Sequence, residues 1–274
     1  MKTAVPEKYD PVPGIVMMPW GMSPPHDISF DHMIDICITG QKIYRSGDSC
    51  VKLCAGQFTV CCSDAQNVPS VLLTERERGL TIYIDTSKMS SLMSGLVDTS
   101  ALSSALGRYC ISDGCNVYKS DRIWEISKEL SQTVKTDNIC ILRLTELMMI
   151  LCETDPDTLS VPPEICTYQE FKAAETVFSY CMAHINEHIS IESLAVYTGM
   201  SATRLKAACR NVYGMPLYSF IRKEKIYRAA EMLRTTDKRI IDIAADVGYD
   251  NPSKFAEAFR GIMGTSPIGH RRSV

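Results

Sequence analysis

Long apolar runs are the first thing this chain lacks. The best candidate, "ICILRLTELMMILC" from Ile139, is interrupted by Arg143 and Glu146, so it reads as an amphipathic helix and no membrane partner is expected. The opening "MKTAVPEKYDPVPG" has prolines and mixed charge where a secretory leader needs an apolar core, and a cytoplasmic protein with reduced thiols is expected. A phosphate loop, a Ser/His/Asp order and a paired-carboxylate pocket are all missing, so catalysis is not expected. Net charge is scarce too, at −3 over 274 residues, but it is unevenly placed. From Glu170 onward there are 15 Lys and Arg against 11 Asp and Glu; before it there are 14 against 21. A tail that meets a polyanion while the rest repels it has this distribution.

Cysteine, by contrast, is plentiful at 12 residues. Cys50 and Cys54 are separated by three residues and Cys61 and Cys62 are adjacent, yet no second pair with Cys-x-x-Cys spacing completes a zinc site. Small buried thiols on or near strands are the expectation, with no metal and no cofactor. His26 and His32 flank "DISFD", but with Asp27 or Asp31 they do not make a recognised ligand spacing. His184 and His188 sit at i, i+4, and "HINEH" lacks the Glu placement of a metalloprotease helix, which leaves a surface or capping role.

Between residues 34 and 86 apolar residues alternate: Ile34, Ile36 and Ile38, then Phe58, Val60 and Cys62, then Leu80, Ile82 and Ile84. This period of two predicts strands. The breaks "SGDS", "AGQ" and "SDAQNVPS" are turn chemistry, so a small antiparallel sheet or barrel is expected. After Lys88 the spacing becomes helical, with Ile123, Ile126 and Leu130 on one face and Leu144, Leu147 and Leu151 on the next. The stretch 153–169 carries prolines and no usable periodicity, and beyond it no strand pattern remains. The chain therefore reads as α+β: a β-rich, barrel-like sensing and dimerising domain with trailing helices over 1–152, a linker over 153–169, and an all-α domain over 170–274.

The all-α part contains a repeat. "LAVYTGMSATRLKAACRNVYGMPL" aligns with "IAADVGYDNPSKFAEAFRGIMGTSPI", one residue longer in the turn. Each copy fits helix, tight turn, helix: Gly199 or Gly248 supplies the turn, Ser201 or Asn251 caps the second helix, and Pro252 tolerates a first helical position. Leu205, Ala208, Cys209 and Val212 face inward, as do Phe255, Ala258, Phe259 and Ile262 in the second copy. The opposite stripes are short or basic. A helix of this kind suits the DNA major groove, and the candidate contacts are Ser201, Thr203, Arg204, Lys206, Ala207 and Arg210, then Asn251, Ser253, Lys254, Glu257 and Arg260. The spacer "LYSFIRKEKIYRAAEMLR" between the copies would be a helix of roughly 27 Å.

Residues 171–272 resemble the tandem helix-turn-helix domain of the AraC/XylS family of bacterial transcription regulators. Matching positions include Ile240, Ile243, Ala244, Gly248, Tyr249, Phe255, Phe259, Gly264, Pro267 and Arg271, with Leu194, Ala195, Gly199, Leu205, Gly214, Pro216 and Ala229 earlier. The "GYDNPSKFAEAFR" wording is most similar to the branch that includes siderophore-responsive regulators. The resemblance implies double-stranded DNA as partner, a small-molecule effector on a β-rich first domain, a homodimer formed through helices and a contact with RNA polymerase. Departures stand beside it. Family members often carry a basic residue where this chain has Glu257 and another where it has Gly261, and His270 takes a usual aromatic position. Glu257 either accepts from a cytosine amino group or repels phosphate, and the first motif is expected to contribute most of the affinity.

The first domain carries no motif as specific. "VMMPWGMSPPH" is expected to pack over an open barrel end, with Trp20, Tyr44 and Arg45 as candidate walls of an effector pocket. Control through the cysteines, a metal or a protein partner is the alternative.

Overall fold

The computed structural model describes residues 9–22, 30–62, 70–72, 74, 76–89, 95, 97–110, 116–132, 138–187 and 189–273. The chain divides into two compact units, Met1–Ile165 and Cys166–Val274. No described helix is long and apolar enough to cross a membrane.

The first unit is built on two sheets. One has the order β1-β2-β8-β3-β6-β9, with β1 Tyr9–Val12, β2 Ile15–Pro19, β3 His32–Thr39, β6 Gln57–Cys62, β8 Arg78–Ile84 and β9 Tyr118–Lys119. The other has the order β10-β5-β4-β7, with β4 Gln41–Ser46, β5 Ser49–Cys54, β7 Ser70–Leu72 and β10 Glu164–Thr167. In the first sheet Ile34 lies between Val60 and Ile82, and Ile36 between Phe58 and Leu80. These six alternating residues therefore fall in rows on one face and are buried, while Cys62 at the end of β6 is half-buried.

Three helices cover that face: α1 Thr99–Tyr109, α2 Asp121–Gln132 and α3 Asn138–Glu153. Leu102 and Leu106, Ile123, Ile126 and Leu130, and Leu144, Leu147 and Leu151 join the sheet residues in one core. Helical spacing in the sequence matches the inward faces of α2 and α3.

The expected barrel is corrected to two open sheets among the described residues. Closure needs the outermost strands to pair, and here they are poor partners. At one edge β9 has two residues. At the other, β1 contains Pro11, which offers no ladder donor, and its pairing with β2 shifts register. The segment expected to pack over a barrel end instead contains β2, which pairs from Ile15↔Ile84 to Pro19↔Leu80. His26 and Asp27 lie outside the described residues.

The proline-containing stretch 153–169 carries a helical turn, α4 Pro156–Leu159, capped when Asp157 N–H donates to Asp155 (3.2 Å), followed by β10. The second unit is helical from α5, Tyr168–Ala183, whose start is a reciprocal cap: Glu170 N–H donates to Thr167 Oγ1 at 3.1 Å, and Thr167 N–H to Glu170 Oε2 at 2.9 Å. Then come α6 Ile191–Thr198, α7 Ala202–Tyr213, α8 Leu217–Thr235, α9 Ile240–Asp246, α10 Pro252–Met263 and α11 Pro267–Arg272.

The long α8 buries residues nearly all the way round. Its first half meets α5 and α7: Phe220 stacks on Tyr213 with centroids 4.0 Å apart and tilts against Phe178. Its second half gives Ile226, Ala229, Ala230 and Leu233 to a core shared with Ile243, Phe255 and Phe259. One rigid helix thus belongs to both helix-turn-helix cores, because neither half could bury its apolar face alone.

Candidate nucleic-acid interface

The two turns are built alike. In the first, Gly199 takes φ 68°, its N–H donates to Val196 O, and Met200 N–H donates back to Ala195 O at 3.0 Å. In the second, Gly248 takes φ 75°, its N–H donates to Ala245 O, and Tyr249 N–H donates to Ala244 O at 2.9 Å. The equivalence then slips by one residue at Asp250 before the next cap. Ser201 Oγ accepts from Arg204 N–H, and Asn251 Oδ1 accepts from Ser253 N–H and Lys254 N–H. Both second helices stop on a left-handed glycine, Gly214 at φ 70° and Gly264 at φ 72°.

Between cap and stop each helix divides into two faces. On α7, Leu205, Ala208, Cys209 and Val212 are buried, while Ser201, Thr203, Arg204, Lys206, Ala207 and Arg210 are exposed. On α10, Phe255 and Phe259 are buried, Ala258 and Ile262 are half-buried against the same core, and Asn251, Ser253, Lys254, Glu257 and Arg260 are exposed. Among the described residues Arg204, Lys206, Arg210, Lys254 and Arg260 have no ion-pair partner. Elsewhere in the unit Lys172, Arg234, Lys238 and Arg239 are each paired with a carboxylate, whereas Arg222, Lys223, Arg228 and Arg272 have no ion-pair partner among the described residues either. Unpaired guanidinium and ammonium groups on a short-chained helix face are free to meet phosphates and base acceptors.

An open depression of about 500 Å³ on α10 is lined by Ser253, Ala256, Glu257, Arg260 and Gly261. His270, the departure from an aromatic, still packs edge-on against Phe259, with ring centroids 5.6 Å apart. His184 accepts a capping role: its Nδ1 lies 2.9 Å from Tyr180 O and its ring stacks on Tyr180. His188 is outside the described residues.

One contact that the sequence did not signal ties the second turn in place. Lys225 Nζ, from α8, donates to Ile185 O at 2.7 Å. A Cβ on Gly248 would lie 2.3 Å from that same oxygen and 2.8 Å from Lys225 Nζ. Burial holds the Lys225 ammonium below its ordinary pKa, so the carbonyl is the acceptor that stabilises its charge there.

In the first unit, Trp20 and Tyr44 are brought together, but by a residue the sequence reading passed over. Asp35 is fully buried and accepts from Trp20 Nε1, Tyr44 OH, Thr81 Oγ1 (3.1 Å) and Lys42 Nζ (2.5 Å). Lys42 Nζ also sits over both rings, 5.1 Å from the Trp20 centroid and 5.3 Å from that of Tyr44. Arg45 is not part of this cluster. As the next residue of β4 it is exposed, and its Nε donates to Gly47 O. Cys37, Val51, Leu53 and Val117 surround Tyr44, with Trp20 half-buried at the rim.

Among the described residues, no group of three or more His, Cys, Asp or Glu could hold a metal ion, and the described cysteines are free thiols. His32 Nδ1 lies 3.4 Å from Asp31. Burial pushes the Cys37, Cys54 and Cys181 thiols up and takes Cys209 to about 11, which keeps them protonated at neutral pH.

A helix-turn-helix domain family matches residues 194–273. The chain is similar to the HTH-type transcriptional activator AarP of Providencia stuartii, 33% identical over 90 residues that make up 33% of this chain and 67% of that protein. It is similar to the regulatory protein SoxS of Salmonella typhimurium, 32% identical over 100 residues covering 36% of this chain and 94% of that one. Of two other curated relatives the chain spans 42% and 29%. Among solved structures, the C-terminal domain of AraT, a response regulator from Geobacillus stearothermophilus, is 29% identical over 37% of this chain and 85% of that one, with a TM-score of 0.35.

Proposed function

The chain belongs to the AraC/XylS family of helix-turn-helix regulators, a family of DNA-binding transcription regulators and not of enzymes, and on that premise we propose how it reads DNA and what governs it. α7 and α10 each enter a major groove, and α8, about 28 Å long over 19 residues, sets them on one face of the duplex, where successive grooves lie about 34 Å apart. The observation that carries this reading is the repeated pair of faces: the same turn, cap and glycine stop, with unpaired cations on both outer stripes. Arg210 and Arg204 meet phosphates, and Lys206 reaches a base edge.

The test is titration of a selected duplex by fluorescence anisotropy at several salt concentrations. Arg210→Ala weakens binding to every sequence and lowers the salt slope by about 1, whereas Lys206→Ala also relaxes preference at one or two bases. Equal, salt-independent losses for both variants would refute the assignment.

The first unit carries a small-molecule effector and the dimer contact. A ligand acts through its differential affinity for two arrangements of the protein, so its influence is bounded by that difference. Trp20 and Tyr44, gathered on Asp35, form one wall of its site, and Arg45, bonded instead to Gly47 O, lies outside it. For dimerisation, α3 exposes Ile139, Leu142 and Met149 at 60%, 62% and 45%, spaced as one stripe along the helix. Pairing two copies there multiplies affinity through effective concentration. Activation by contact with RNA polymerase is part of the proposal, supported by a relative named as an activator.

One observation favours a second reading, control through thiols. Cys62 ends β6 and Cys110 follows directly on α1, and burial together with a hydrogen bond to Cys62 pushes the Cys110 thiol up, so these two thiols interact. A ligand-induced melting shift confined to the first unit supports the effector, and a reductant-dependent DNA affinity supports the thiols.

A further inference from the structure

We propose that Glu257 is a base-reading residue that selects cytosine in the groove occupied by α10, an inference that rests on the DNA-binding reading above. Glu257 stands exposed in the middle of the outer stripe, one turn after Ser253 and one turn before Arg260 and Gly261. Among the described residues it has no ion-pair or hydrogen-bond partner. Arg260, on the same face, does not neutralise it. The surface lined by these residues is open.

A carboxylate is only an acceptor. Close to phosphates it is repelled, so α10 can seat in a groove only where a donor meets Glu257. The major groove offers two such donors, the amino groups of cytosine and adenine. Adenine places its N7 acceptor beside the amino group, which opposes a second negative charge, whereas cytosine presents its N4 amino group alone. Arg260 then supplies the cation that takes guanine acceptors or a flanking phosphate.

The first motif differs at the equivalent positions. It has Lys206 where the second has Ala256, and Ala207 where the second has Glu257. Both end the stripe on an arginine. The first helix therefore carries no carboxylate on its outer stripe to oppose phosphates, whereas the second seats only where a donor meets Glu257. Gly261, without a side chain, leaves the last turn of α10 clear for close approach of the duplex.

The experiment is selection of bound sequences from a random duplex library by the full chain and its Glu257→Ala and Glu257→Gln variants, followed by affinities on single-base variants of the winning duplex. Wild type is expected to require cytosine at one position of the second half-site, with roughly five- to a hundredfold loss when it is replaced. Glu257→Ala makes that position indifferent and weakens the winning duplex, with the other positions unchanged; Glu257→Gln moves the preference toward adenine. Replacing the same cytosine by 2-pyrimidinone, which lacks the amino group, reproduces the loss in wild type and adds none to Glu257→Ala. Tighter binding of Glu257→Ala to all sequences, with an unaltered base profile, would overturn the proposal and make the carboxylate a repulsive element. If wild type selects no sequence at all, the failure belongs to the DNA-binding reading itself.

Discussion

Replacing Gly248 by alanine is the sharpest test of the way the second reader is held, because Gly199 provides a matched control. Both glycines turn the chain in the left-handed region, at φ 75° and 68°. Alanine there costs about 1 kcal/mol, and both replacements share the same gain from a stiffer unfolded chain. Only their surroundings differ. The new Cβ at position 199 meets nothing within 4 Å, whereas at 248 it lies 2.3 Å from Ile185 O and 2.8 Å from Lys225 Nζ. That carbonyl must move, and the charged hydrogen bond from Lys225 goes with it, at about 1.5–3 kcal/mol. Gly248→Ala should therefore destabilise the second unit by about 1.5–3 kcal/mol more than Gly199→Ala.

The assay is urea unfolding of the full chain followed by helical circular dichroism. Tryptophan emission serves as an internal control, since Trp20 and Trp124 both belong to the first unit. The emission midpoint should be the same in both variants. Equal losses for the two alanines would mean that the close approach of Ile185 to the turn does not exist, and the account of Lys225 as a clamp would fall with it.

Three further outcomes are expected. Asp35→Ala strands Lys42 beside Trp20 and should cost the first unit about 3–5 kcal/mol by tryptophan-detected unfolding, with the helical unit's midpoint unmoved; a loss below about 1 kcal/mol would show that the buried carboxylate is not the centre of that cluster. Leu142→Glu, on an exposed position of α3, should convert a dimer to a monomer in sedimentation velocity without changing melting; a monomeric wild type, or a dimer that survives, refutes the α3 contact. In a Trp124→Phe background the remaining emission reports Trp20 alone, and an effector that binds without changing it would remove Trp20 from the wall of the site.

Much of the second unit was legible because each local signal agreed with the others. Gly199 and Gly248, their caps and the inward spacing of Leu205 and Phe255 are all short-range features, repeated in the same order. The Lys225 to Ile185 contact was not legible, since nothing local marks a lysine that meets a carbonyl 40 residues away. In the first unit, alternation correctly placed Ile34, Ile36 and Ile38 on one core face, but it says nothing about which strands pair, and so it could not tell open sheets from a barrel. Asp35 is not marked by that alternation, which implies a solvated opposite face. A signal was present: from Ile34 to Ile38 every residue of β3 is buried, and "HMIDICIT" holds few polar residues, the pattern of a strand covered on both sides. Trp20 and Tyr44 also each bring a donor that needs an acceptor once buried.

The central claim, that α7 and α10 dock in successive major grooves of one duplex, is tested most directly by guanine methylation protection on the selected duplex. Two protected major-groove patches, about one helical turn apart on the same face, are predicted, with Lys206→Ala weakening protection in one and Arg260→Ala in the other. A single patch, or two patches that both vanish with either substitution alone, would contradict it.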